Sequence, residues 1–168
     1  MHHGSDLGHI EVDRVVIVAA AARRSARASI RPLRMSREAG SGQKPTVLRD
    51  GRPALYELSL RPLYFRSSSA EQRLEILIHE LWHISPHFDG RLDPTRRHPL
   101  SDPQEAERFV ARARAAVQGK VDISPLSARG WFEMPMWQNR PPSLIPPGER
   151  CRLRYDERDL FLGRVEQL

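Results

Sequence analysis

A lone cysteine, Cys151, excludes an intramolecular disulfide and any zinc site built on paired thiolates, and it favours a reducing compartment. Long apolar runs are as scarce. The one near the start, Val15 to Ala22, spans eight residues, where crossing a bilayer takes roughly twenty, so no membrane partner is expected. That run is also poorly placed as a signal-peptide core. Asp6, Glu11 and Asp13 precede it where positive charge belongs, although the small residues of Ser25 to Ser29 keep secretion as a lesser reading. Cytoplasmic residence is the expectation. Aromatic residues are 7% of the chain and none is interleaved with the basic residues as a nucleic-acid stacking platform requires.

What is present suffices for one domain: 168 residues, 39% of them hydrophobic, can bury a core without staples. Twenty-seven Lys and Arg against twenty-one Asp and Glu leave a formal charge of +6, mostly carried by arginine. Such a surface attracts polyanions, so nucleic acid is a possible partner. The arginines are scattered, which favours solvated charge over a binding face.

Along the chain, Ile10 to Arg24 joins a β-branched run to an alanine run and reads as a strand, a helix, or one followed by the other. Ala28 to Met35 and Tyr56 to Phe65 alternate as strands. Each carries Arg-Pro-Leu, and a proline without an N–H suits a sheet edge or a bulge. The Gly-, Ser- and Asp-rich stretch between them supplies turns. From Ser68 a helix is expected, with Ser68 and Glu71 as a capping box and Leu74, Leu77, Ile78 and Leu81 as a buried stripe. Pro86 disfavours helical geometry at Ser85 and ends it. After a loop with Gly90, Ser101 or Asp102 caps a second helix, Pro103 enters its first turn, and Phe109, Val110 and Ala113 form its apolar face up to Gly119. Asp89 and Asp93 lack calcium-loop spacing and read as turn formers. Trp131, Phe132, Met134, Met136 and Trp137 read as core more than as a groove. The end of the chain reads as a β-hairpin turning at Asp156 to Asp159, with Cys151 half-buried in its first strand.

The chemistry is concentrated at His79-Glu80-Leu81-Trp82-His83. Residues four apart on a helix differ by about 40° around the axis, so both imidazoles leave one face and can bind one ion. Glu80, one step round, is placed to act on a metal-bound water and not as a ligand. A catalytic zinc site takes a third protein ligand and leaves the fourth position open. His87 would align with the pair only on a continuous helix, which Pro86 opposes. His98, returned by the loop, and Glu105 or Glu107 on the second helix are the other candidates.

The stretch from Ile78 to Gly90, with Arg96-Arg97-His98-Pro99 after it, resembles the phage-type metallopeptidase domains and the related small zincins of the SprT-like kind. The likeness runs from about Tyr56 to Val117. The later segment departs from that family's Arg-Pro-His-Gly ending, and Ser85 stands where zincins generally carry an apolar residue. The resemblance implies that His79, His83 and His98 hold Zn2+, that Glu80 is the catalytic base, and that the substrate is a peptide or protein. A zinc ion there acidifies its water and polarises a peptide carbonyl; Glu80 takes the proton and returns it to the leaving amine. Arg96, Arg97 or Tyr64 would assist the developing oxyanion, and Tyr56 to Phe65, the strand before the helix, would bind substrate by strand addition or serve only as a structural strand.

The expected fold is α+β: a small zincin-like domain in which a mixed or antiparallel sheet packs on the active-site helix and a second helix. Residues 9–119 form this core, and residues 120–168 are a proline-rich and hairpin extension packed on it. The rival reading is a nucleic-acid-associated protein with a structural or vestigial zinc site.

Overall fold

The computed structural model describes residues 7–20, 27–33, 42–61, 67–96, 102–118, 120, 122–127 and 133–164. The strands are β1 (Val15–Ala19), β2 (Ala28–Pro32), β3 (Thr46–Arg49), β4 (Arg52–Pro53), β5 (Tyr56–Leu60), β6 (Glu133–Trp137), β7 (Arg154–Tyr155) and β8 (Leu160–Arg164). The helices are α1 (Ala70–Trp82), α2 (Pro103–Val117) and the single turn α3 (Ser124–Ser127). The architecture is α+β, as expected. Among the described residues no helix is long and apolar enough to cross a membrane.

The main sheet has the order β1-β5-β2, with β1 parallel and β2 antiparallel to β5. Every residue of β5 is buried. This corrects the edge-strand expectation for the segment beginning at Tyr56: β5 is paired on both sides and cannot accept an added strand, and Pro62 to Phe65 lie outside the described residues. The edge is β2. Hydrogen bonds from Arg61 N to Arg27 O and from Leu33 N to Leu55 O fix the alternation along the β2–β5 ladder. They leave Ala28, Ile30 and Pro32 in the non-bonded positions, their backbone groups directed away from β5. Pro32 therefore forfeits no ladder bond, which is how this proline is tolerated.

The two faces of the sheet differ. Val15, Ala19, Ala28, Ile30, Tyr56, Leu58 and Leu60 pack under α1, against Ile76, Ile84 and Phe88. Glu57 and Ser59 face the other way. α1 is itself packed on two sides: Ile76 enters the sheet core with Leu77 and Leu81 partly buried beside it, whereas Ile78 and Trp82 meet Ala106 and Phe109 of α2. The expected stripe is thus corrected. Arg73, Ile76, Ile78 and Trp82 are the buried positions, and Leu74, Leu77 and Leu81 are only half-buried. Burying a side chain the size of Ile78 contributes about 1.5–3 kcal/mol.

Capping of α1 shifts by one residue from the expectation. Ser69, extended at φ −71° and ψ 166°, accepts from Gln72 N, and the Gln72 side chain accepts from Ser69 N. The run of serines offers overlapping Ser-x-x-Glu and Ser-x-x-Gln boxes, and the chain uses the second. Asp102 caps α2 and Pro103 opens it, as expected. Gly119 lies outside the described residues.

The stretch assigned to turns contains a hairpin. β3 and β4 are joined by Asp50-Gly51, both at positive φ (50° and 73°), the conformation a two-residue turn requires. The C-terminal hairpin is not formed as expected. Asp156 to Asp159 make a capped 3-10 turn, but the flanking strands diverge: β7 pairs with β3 and β8 pairs with β6. Tyr155 decides this by entering a core cluster with Val47 and Ala54, while Cys151 and Leu153 stay exposed and outside any strand. Met134 and Met136 join the sheet core, as the core reading held; Trp131 and Phe132 lie outside the described residues.

Candidate metal and active site

α1 ends where its chemistry is. Trp82 is its last residue and His83 its C-cap, still near helical geometry at φ −70° and ψ −15°. His79 and His83 therefore keep the four-residue spacing, with ring centroids 5.0 Å apart and planes at 88°. Trp82 borders both imidazoles, its ring 6.0 Å from His79 and 5.3 Å from His83.

The orientation of His83 is set from outside the helix. Its Nδ1 lies 2.5 Å from the Arg96 carbonyl oxygen. A carbonyl only accepts, so in the neutral ring Nδ1 carries the hydrogen and Nε2 is the basic nitrogen, the one able to ligate a cation. This is the arrangement in which metal-ligating histidines are usually held. The donor set at this corner thus fits a metal ion through two imidazoles of one helical face.

Glu80 sits one helical step away, against the outer edge of β2. Its carboxylate accepts the Ile30 N–H that the ladder leaves facing outward. Burial drives its pKa up to about 7, and the Ile30 bond only partly opposes that. A carboxyl group poised near neutrality can take and return a proton.

The loop after α1 doubles back on the helix end. Ser85 N donates to Arg91 O, Ile84 bridges Leu92, and Asp93 N donates to His83 O. Phe88 (φ 47°) and Gly90 (φ 82°) make the reversal, and the Tyr56 hydroxyl holds it by donating to Arg91 O at 2.8 Å and accepting from Gly90 N at 3.0 Å. That hydroxyl's pKa is pushed up to about 12, chiefly by burial. Ser85, the departure from an apolar preference, is buried and accepts from His87 N. Asp89 and Asp93 act as turn formers, accepting from Arg91 N and Thr95 N.

Of the ligand candidates, His98 lies outside the described residues, as do Arg97 and Tyr64. His87 is exposed and no longer on the helix, and Glu105 and Glu107 are exposed on α2. Among the described residues no three His, Cys, Asp or Glu side chains converge as a metal-binding group, so none of these three joins the pair. Arg96, the oxyanion candidate among the described residues, is engaged within the chain. Its guanidinium donates to Trp82 O at 2.8 Å, approaches Asp93 at 3.3 Å and lies over the Trp82 ring.

Two features were not anticipated. The Arg96 carbonyl on His83 had no signal beyond the turn-forming Asp93-x-Thr95. The second is a buried carboxylate, Glu57, on the opposite face of the sheet. It accepts from Arg31 at 3.0 and 2.7 Å, Arg140 at 3.1 and 2.6 Å, Trp137 Nε1 at 2.9 Å and Ser59 Oγ at 3.0 Å. Comparison with protein-family models, curated proteins and solved structures gives no match.

Proposed function

We propose that the chain is a zinc-dependent peptidase with a zincin-like site, in which His79, His83 and His98 hold the ion and Glu80 is the general base. The observation that carries this reading is the place of Glu80, half-buried beside two adjacent imidazoles with its carboxylate on the Ile30 N–H and its pKa raised to about 7, while His83 Nδ1 is held on the Arg96 carbonyl. Zinc, when bound, would acidify a water and polarise a carbonyl. Glu80 would accept the proton of the attacking water and pass it to the departing amine.

Chain reach supports His98 as the third ligand. It follows Arg96, whose carbonyl touches His83, by two residues, a span of at most about 7 Å. For substrate, β5 is excluded as the strand that an extended peptide would join, since it is paired on both sides.

The nucleic-acid reading draws less support. Arginines on many elements pair with nearby carboxylates, Arg52 with Asp13, Arg108 with Asp102 and Arg114 with Glu75 among them, so much of the positive charge is locally offset.

Zinc content, measured in wild type and in His79→Ala, His87→Ala and His98→Ala, tests the ligand set. Loss in the first and third variants with retention in the second is expected; zinc kept in His98→Ala and lost in His87→Ala would reverse the assignment. For the reaction, Glu80→Gln should keep zinc and lose hydrolysis of an unbiased peptide mixture. Hydrolysis surviving that change would remove the mechanism.

A further inference from the structure

A helix C-terminus leaves carbonyl groups without intrahelical partners, and at the end of α1 the returning loop supplies two of them. Arg96 Nη1 donates to Trp82 O at 2.8 Å, and Asp93 N donates to His83 O at 2.9 Å. One side chain organises both contacts. Asp93 accepts from Thr95 N at 2.9 Å and Thr95 Oγ1 at 2.7 Å, which shapes the 3-10 turn Pro94–Arg96, and its other oxygen lies 3.3 Å from Arg96 Nε. The Arg96 guanidinium, 5.5 Å above the Trp82 ring, is thereby clamped from two directions. Both side chains of this pair are mostly buried, 15% and 21% exposed, so the contact is shielded from water. With the side chain so fixed, the Arg96 carbonyl meets His83 Nδ1.

We infer that Asp93, acting through Arg96, is a positioning residue for the metal site: it holds His83 in one orientation and one tautomer and so sets the affinity for zinc. The inference rests on the zinc reading above and adds to it a residue that touches neither metal nor substrate. The physical reason is that an imidazole free to rotate, or carrying its hydrogen on Nε2, must be reoriented before it can ligate. Outer-shell partners of this kind are worth about 10- to 100-fold in metal affinity.

The loop contains its own control. Asp89 makes the same kind of turn, accepting from Arg91 N at 3.1 Å, but its contacts do not lead to His83. Zinc affinity is measured by chelator competition in wild type, Asp93→Ala, Thr95→Val and Asp89→Ala. Zinc should bind about 10- to 100-fold more weakly to Asp93→Ala, several-fold more weakly to Thr95→Val, and unchanged to Asp89→Ala. Equal affinity in Asp93→Ala and wild type overturns the inference, as does equal weakening in Asp89→Ala, which would mean loop stability alone. Wild type without zinc overturns the peptidase reading and this inference with it.

A second readout needs no metal. Imidazole nitrogen–proton correlation spectra of the metal-free protein, at a pH where His83 is neutral, should show the Nδ1–H tautomer in wild type. A mixture is expected in Asp93→Ala and in Arg96→Ala. A single unchanged tautomer in both variants overturns the positioning role even if zinc affinity falls.

Discussion

Glu57 and Glu80, one fully buried and one half-buried, lie on opposite sides of one edge strand, and β2 touches both. Arg31 of β2 reaches across the sheet face to Glu57, while the backbone N–H of its neighbour Ile30 points off the sheet edge to Glu80. Burial raises the pKa of Glu57, but the hydrogen bonds and charges of Arg31 and Arg140 outweigh it and hold the carboxyl below its ordinary range. Among the described residues no guanidinium opposes the desolvation of Glu80, and its pKa goes up to about 7. Burial alone does not distinguish a structural carboxylate from a reactive one. The supply of compensating donors does: a saturated carboxylate is locked as an anion, and an undersupplied one is left able to exchange a proton.

The strongest way to break this contrast is to neutralise each carboxylate in turn. Glu80→Gln should lower hydrolysis by about 10²- to 10⁴-fold and leave the urea unfolding midpoint of the metal-free protein unchanged or raised. Glu57→Gln should do the reverse. It strands two arginines and should cost about 3–5 kcal/mol of stability, while the molecules that remain folded should match wild type in zinc content. Equal destabilisation by the two substitutions would erase the distinction.

A finer test separates the two arginines of Glu57. The Arg31 side chain is 19% exposed and that of Arg140 is 41% exposed. Arg31→Ala should therefore destabilise by about 3 kcal/mol and Arg140→Ala by about 1–2 kcal/mol, because water replaces part of what the second loses. Denaturant melts of both variants decide the order.

The smallest effect is in pH dependence. Glu57 in the folded protein binds its proton less readily than in the unfolded chain. The stability it contributes is complete above the unfolded value of about 4.3 and is lost as pH falls through the lower folded value. Unfolding midpoints followed from about pH 6 to about pH 3 should fall less steeply in Glu57→Gln than in wild type. Parallel curves would show that another carboxylate governs the acid limb.

Much of the site was legible because it is local. Four-residue spacing fixed His79 and His83 on one face, Pro86 ended the helix beside them, and Asp102-Pro103 marked the start of α2. The Asp50-Gly51 hairpin also has a local signal, a turn dipeptide between short apolar runs. Other features had none. Arg140 meets Glu57 across 83 positions and Trp137 meets it across 80.

The sequence by itself determined a capped helix carrying two imidazoles and a carboxylate at fixed spacing, because helical geometry and proline sterics act within a few residues. Tertiary structure decided that β5 is central and β2 an edge, that Glu80 is half-buried against an outward N–H, that Arg96 fixes the ring of His83, and that Glu57 is saturated. Each of these depends on strand register and on which elements exclude water. Those are properties of residues distant in the chain meeting in space, and no local pattern encodes them.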